Sequence, residues 1–131
     1  ARVDESEKIT KVSEYVEAVN SATAGRRSYV VLETESGGVV VTEKLSDGSV
    51  SWEENPEDIE DRNSLARFIR SCGCSFSKKS TVTVGELDSL RRSKGAELRA
   101  SNSGCKRYAQ NVFNAARGFP ERIDSGFGSR S

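Results

Sequence analysis

The apolar positions of this chain change period several times, and each change marks an element. In 102–118, NSGCKRYAQNVFNAARG, Cys105, Tyr108, Ala109, Val112 and Ala116 recur at helical spacing, with Lys106, Gln110, Asn114 and Arg117 opposite them. Asn102 or Ser103 can cap the start, and Gly118 supplies the left-handed residue that ends such a helix. Residues 4–24 read the same way. Ile9, Val12, Val16 and Val19 form a stripe with Tyr15 at its edge, Asp4 and Glu7 have capping-box spacing, and Gly25 stops the run. From 28 to 53 the period drops to two, and Val, Thr, Tyr and Trp dominate. That predicts strands at 29–35, 39–44 and 49–53, joined at Ser36-Gly37-Gly38 and Ser46-Asp47-Gly48. Tyr29, Val31, Val39, Val41, Val50 and Trp52 are their candidate inward residues, and a meander is the economical topology.

The second half alternates shorter elements. Asn55 and Pro56 suit a helix start, followed by the acidic Glu57 and Asp58, so 55–70 reads as a helix. Ile59, Leu65, Ala66, Phe68 and Ile69 are its apolar residues, with Arg62, Arg67 and Arg70 towards solvent. In 71–77, Cys72, Cys74 and Phe76 share one face of a strand by period two. Thr83 and Glu86 form a capping box that opens a short helix to Lys94, with Leu87 and Leu90 inward. A last strand falls at 97–101, with Leu98 and Ala100 inward. The succession predicts an α+β fold, a two-layer sandwich of helices on an antiparallel sheet. It forms a single domain at 1–118, followed by an irregular tail at 119–131.

Composition narrows the function. At 131 residues the chain can build one core, and its longest apolar run is the four residues 29–32, too short for a membrane helix. The acidic start ARVDESEK lacks the basic and apolar regions of a signal peptide, so a secreted protein of this sequence would be the mature form. Net charge is zero, yet residues 1–61 carry 6 basic and 15 acidic side chains and residues 62–131 carry 14 and 5, giving −9 and +9. Either the two halves interleave and neutralise each other at close range, or the surface is dipolar and its basic side meets phosphate, an anionic membrane or an acidic protein. Arg91, Arg92, Lys106 and Arg107 are the candidate residues of that basic surface. Aromatic residues that would stack on bases do not interleave with the basic pairs, which argues against nucleic acid. Arg26-Arg27, expected in an exposed turn, is the most accessible dibasic pair.

Candidate chemistry is sparse. Histidine is absent, which removes Ser-His-Asp and Cys-His catalysis and the commonest zinc ligand. No glycine-rich phosphate loop sits between strand and helix, and the acidic run 53–61 matches no calcium loop. Cys-Gly-Cys lacks the usual two-residue metal spacer. No catalytic residue, metal or cofactor is therefore assigned, and the expectation is a protein that is not an enzyme. The three cysteines, Cys72, Cys74 and Cys105, are disulfide candidates. Cys105 should lie buried between helix and sheet, within bonding reach of Cys74 or Cys72, and closing a loop of about 31 residues contributes roughly 3 to 4 kcal/mol. One cysteine is left over, buried and inert or available for an intermolecular disulfide.

The segment 72–118 resembles the small killer toxins encoded by double-stranded RNA viruses of smut fungi, and the fungal secreted proteins that share their fold. The shared features are the Cys-x-Cys strand (Cys72, Cys74), a helix opening at Thr83, a returning strand, and Gly104-Cys105 leading a helix that bears Tyr108 and Phe113. Where those proteins place further cysteines in both helices, this chain has Leu87, Leu90 and Ala116. The resemblance implies a helix-on-sheet sandwich, secretion after dibasic cleavage, and cytotoxicity without known catalysis, directed at a component of a competing or host cell. The contrasting expectation is an intracellular, cytoplasmic binding module whose basic half contacts an acidic protein or RNA.

Overall fold

The computed structural model describes residues 2–18, 26–45, 49–73, 82–93 and 105–116, with the backbone alone at 18, 26, 73, 90–93, 105 and 106. Five strands form one antiparallel sheet: β1 (Ile9–Ala18), β2 (Arg26–Thr34), β3 (Val39–Lys44), β4 (Val50–Glu54) and β5 (Arg67–Gly73), in the order β4-β3-β2-β1-β5. Helix α1 (Ile59–Leu65) links β4 to β5, and α2 (Val84–Ser93) and α3 (Cys105–Ala116) follow. The α+β class, with helices packed on an antiparallel sheet, is thus the fold of the described residues. The meander β2-β3-β4 lies within a residue or two of its predicted bounds except at the start of β2, three residues earlier. Gly37 makes the β2–β3 turn with φ +93°, a conformation that costs glycine nothing.

The helix expected at 4–24 is not formed over its described part, where Ile9–Ala18 is instead a strand paired on both sides, with β2 and with β5. Ile9, Thr10, Val12, Tyr15 and Val16 are β-branched or aromatic, and they lose side-chain freedom in a helix but fit a pleated surface. The spacing that imitated a helix has a local cause. Ile9 opposes Thr34 while Lys11 opposes Glu33, so Thr10 is an extra residue in a bulge. The bulge brings Ile9 onto the same face as Val12. Asp4 and Glu7 do not cap a helix. The Ser6 amide and hydroxyl donate to Asp4 Oδ1 (2.9 and 2.8 Å), and the Ser36 amide and hydroxyl donate to Glu7 Oε1 (3.2 and 2.9 Å).

α1 is also shorter than the predicted 55–70. Asn55, expected as its cap, sits at φ 52° and clamps β3, donating from its amide to the Val39 carbonyl and accepting from the Val39 amide on Oδ1. Ala66 is extended, and the chain then enters β5 four residues before the strand predicted at 71–77. Pairing with β1 outweighs helical propensity there, because Phe68 and Ile69 are good strand formers. By contrast, the capping box of α2 is present. The Thr83 amide donates to Glu86 Oε1 (2.9 Å) and the Glu86 amide to Thr83 Oγ1 (3.1 Å). The Gly85 amide donates to the Glu5 carbonyl, and a Cβ at Gly85 would stand 3.0 Å from that oxygen, so a side chain there would press the 5–7 segment back by a few tenths of an ångström.

Strand alternation divides the side chains between two faces. On one face, Ile9, Val12, Val30, Leu32 and Val40 pack against Val84 and Leu87 of α2 and Tyr108, Ala109, Val112, Phe113, Ala115 and Ala116 of α3. Each fully buried Val or Leu there contributes roughly 1.5 to 3 kcal/mol. Tyr108 is buried and donates its hydroxyl to Thr42 Oγ1 (2.8 Å), since the Thr42 proton goes to the Ser51 carbonyl. On the other face, Tyr29, Val31 and Val41 form a smaller cluster with Tyr15, Val39, Ile59 and Ala66. Val50 and Trp52 pack on the α3 side, away from Tyr29, so the six predicted inward residues do not share a face. The predicted strand at 97–101, the tail 119–131, Leu90's side chain and Val19 lie outside the description.

Candidate interaction surface

The face away from α3 is built around Tyr29. Tyr15, its partner across the β1–β2 ladder, stacks on it with centroids 5.3 Å apart and planes at 10°. Phe68 of β5 meets Tyr15 edge-on at 5.7 Å. Such pairs contribute about 0.5 to 1.5 kcal/mol beyond area burial. The Arg62 guanidinium of α1 lies 3.9 Å above the Tyr29 ring. Its Nη2 donates to Glu17 Oε1 (2.6 Å) and Glu43 Oε1 (2.9 Å), and its Nε donates to Glu17 Oε2 (3.3 Å). The Tyr29 hydroxyl donates to Asn63 Oδ1 (2.8 Å). Helix, aromatic stack and carboxylates are thus locked by one arginine.

The electrostatics follow from that geometry. Burial pushes the Tyr29 phenol up, against the opposing positive charge of Arg62. Burial also disfavours the charge on Arg62, but hydrogen bonds from Glu43 and Glu17 outweigh it and hold the guanidinium above its usual range. With Arg27 3.9 Å from Glu43, two guanidinium groups balance two carboxylates. Both carboxylates are occupied as acceptors, so the cluster fixes α1 on the sheet. Among the described residues no group of three Cys, Asp or Glu side chains is arranged to hold a metal ion. No described helix is long and apolar enough to cross a membrane.

At the rim of this cluster the surface turns apolar. Leu65 is 86% exposed, Phe68 54% and Ile69 41%, all within five residues at the passage from α1 into β5. α1 has seven residues and buries none of them, so it cannot roof this part of the sheet. β5 is an edge strand, paired with β1 alone among the described strands. The sequence reading made Leu65, Phe68 and Ile69 apolar residues of a helix at 55–70. What was missed is that three large apolar residues near a helix end can also mark a rim, and no periodicity separates the two.

The opposite face carries a second ion pair, with its carboxylate buried. Arg70 Nε donates to Glu14 Oε1 (2.8 Å), with the Glu14 side chain 3% exposed, and the Arg70 guanidinium stands 3.9 Å over Phe113. Among the described residues the three closest ion pairs, Arg62–Glu17, Arg62–Glu43 and Arg70–Glu14, all join the acidic first half of the sequence to the basic second half. The two halves therefore interleave at these points.

Of the residues singled out in the sequence, Cys72 lies on β5 opposite Val12, half-buried and packed against the α3 core. Cys105 opens α3, and its side chain and Cys74, with the predicted disulfide, lie outside the described residues. Arg91 and Arg92 fall in α2, and Lys106 and Arg107 in the first turn of α3. Of these four side chains only that of Arg107 is described, and it is exposed. Arg26-Arg27 is not in a turn. Both residues are in β2, paired with Ala18 and Glu17 of β1. No protein-family model, curated protein or solved structure matches the chain.

Proposed function

We propose that this chain is a non-enzymatic binding protein of the toxin or effector kind, secreted and acting on a component of a competing or host cell. The observation that carries the binding part is the exposed Leu65, Phe68 and Ile69 beside the edge strand β5. A clustered apolar rim flanked by charge is what a partner covers, whereas scattered exposed residues need no explanation. The resemblance of 72–118 to smut-fungus killer toxins supports secretion and cytotoxicity. The ion pairs support a rigid display surface, because Arg62 fixes α1 and Arg70 fixes β5.

Two measurements test the reading. Thiol counting under denaturing, non-reducing conditions should find one reactive thiol, as expected of an oxidising compartment. Three thiols would favour the intracellular module instead. Fungal cells exposed to the purified chain should lose viability, and Leu65→Lys should reduce that effect at least tenfold with no change in stability. Full potency of the variant would remove the rim from the function.

A further inference from the structure

The two sides of β5 differ in chemistry, and this bears on what the rim would bind. In the β1–β5 ladder Arg67 opposes Val16 and Arg70 opposes Glu14, on the α3 side, while Phe68 opposes Tyr15 on the other side. The register shifts between Glu14 and Tyr15, leaving Ile69 as the extra residue of a bulge, its side chain 41% exposed. β5 has no acidic residue. Arg67 is exposed and makes no ion pair among the described residues, whereas Arg70 is half-exposed and already holds Glu14. The edge that β5 leaves unpaired among the described strands is therefore basic on one side and carries the exposed Phe68 on the other, with the exposed Leu65 two residues before the strand begins.

We infer that the edge of β5 left unpaired among the described strands is a docking site for an extended segment of a partner protein that alternates acidic and apolar residues. The inference rests on the binding reading above and names its partner chemistry. Such a strand would pair with the backbone of 67–71, set its acidic side chains beside Arg67, and lay its apolar side chains on Phe68, Ile69 and Leu65. Main-chain hydrogen bonds then supply affinity and the alternation supplies selectivity. A second copy of this chain fits less well, because joining two β5 edges sets basic side chains near one another, the device by which edge strands repel their own kind. The acids of α1, Glu60 and Asp61, lie in its first turn, away from the end that meets β5.

The test is a titration of the isotopically labelled chain, followed by amide resonances, with a capped seven-residue peptide alternating glutamate and valine. A peptide alternating lysine and valine serves as control. The expected result is saturable shifts centred on 67–71 with the glutamate peptide, and at least tenfold weaker binding of the lysine peptide. Arg67→Glu should invert that preference, and Leu65→Lys, at a site 86% exposed, should weaken both peptides without unfolding the chain. Equal binding of the two peptides, shifts centred elsewhere, or sedimentation showing a dimer that buries β5 would each overturn the inference. If neither peptide binds while cell killing still depends on Leu65, the strand partner is wrong and the binding reading stands. If killing is absent and the glutamate peptide binds, the reverse holds.

Discussion

The two faces of the sheet solve one problem in different ways. On the α3 side, aliphatic side chains of β1, β2 and β3 meet a twelve-residue helix that lies across them, and burial of apolar area holds the layers together. On the α1 side, a seven-residue helix buries none of its own side chains, and a guanidinium clamped between two carboxylates and a tyrosine ring does the holding. A non-directional force spreads over a broad area of its face. A directional one fixes a single point and leaves the rim uncovered, which is where Leu65, Phe68 and Ile69 stand in solvent.

The sharpest break of that comparison is in the α3 layer. Phe113→Ala removes a buried ring and uncovers Arg70, and should cost about 3 to 5 kcal/mol in urea unfolding. Arg62→Ala should cost somewhat less, about 3 kcal/mol, because it leaves Glu43, whose side chain is 7% exposed, with only the more distant Arg27 at 3.9 Å as counter-charge. Amide exchange should localise that loss to α1 and the start of β5, leaving α3 protected. A uniform loss would show that the two faces are not separable.

Acid should act on a third and smaller contact. The Ser6 amide and hydroxyl hold the Asp4 carboxyl below the usual carboxylate range, and the Ser36 hydroxyl, the Thr34 hydroxyl and the Ser36 amide do the same for Glu7. A carboxylate whose folded pKa is depressed stabilises the fold above its unfolded pKa and loses that contribution as pH falls through the folded value. The Ser6 and Ser36 amide resonances should thus move only as pH falls below the usual carboxylate range, while those of α3 stay in place. The smallest effect belongs to Leu65→Lys, expected within about 0.5 kcal/mol of the parent because it changes only exposed surface.

How much of this was legible follows the same division. α3 showed in the sequence because one wide apolar stripe on a long helix has a single reading: Tyr108, Ala109, Val112 and Ala116 are buried as their spacing required. The meander showed because β2 and β3 combine period two with glycine turns. β1 did not, because the bulge at Thr10 gave Ile9 and Val12 a helical interval, and a bulge leaves no mark in composition. The faces of Val50 and Trp52 were hidden too, since adjacent valines in β3 leave strand parity undefined until the ladder is known. As for the site, Arg62 was read as a solvent residue. Its partners, Glu17 and Glu43, lie 45 and 19 residues away, and pairing at that range is set by topology.

The division into two faces depends on β1, whose alternation sends Val12 and Glu14 to one side and Ser13 and Tyr15 to the other. Proton contacts between Hα atoms across the ladders are therefore the most direct check. The structure predicts cross-strand contacts from β1 to β2 and to β5, in the neighbourhoods Ser13–Val31 and Ser13–Ser71. A run of contacts from each Hα to the amide three residues on, through 9–18, would mean that this segment is a helix and would contradict the account.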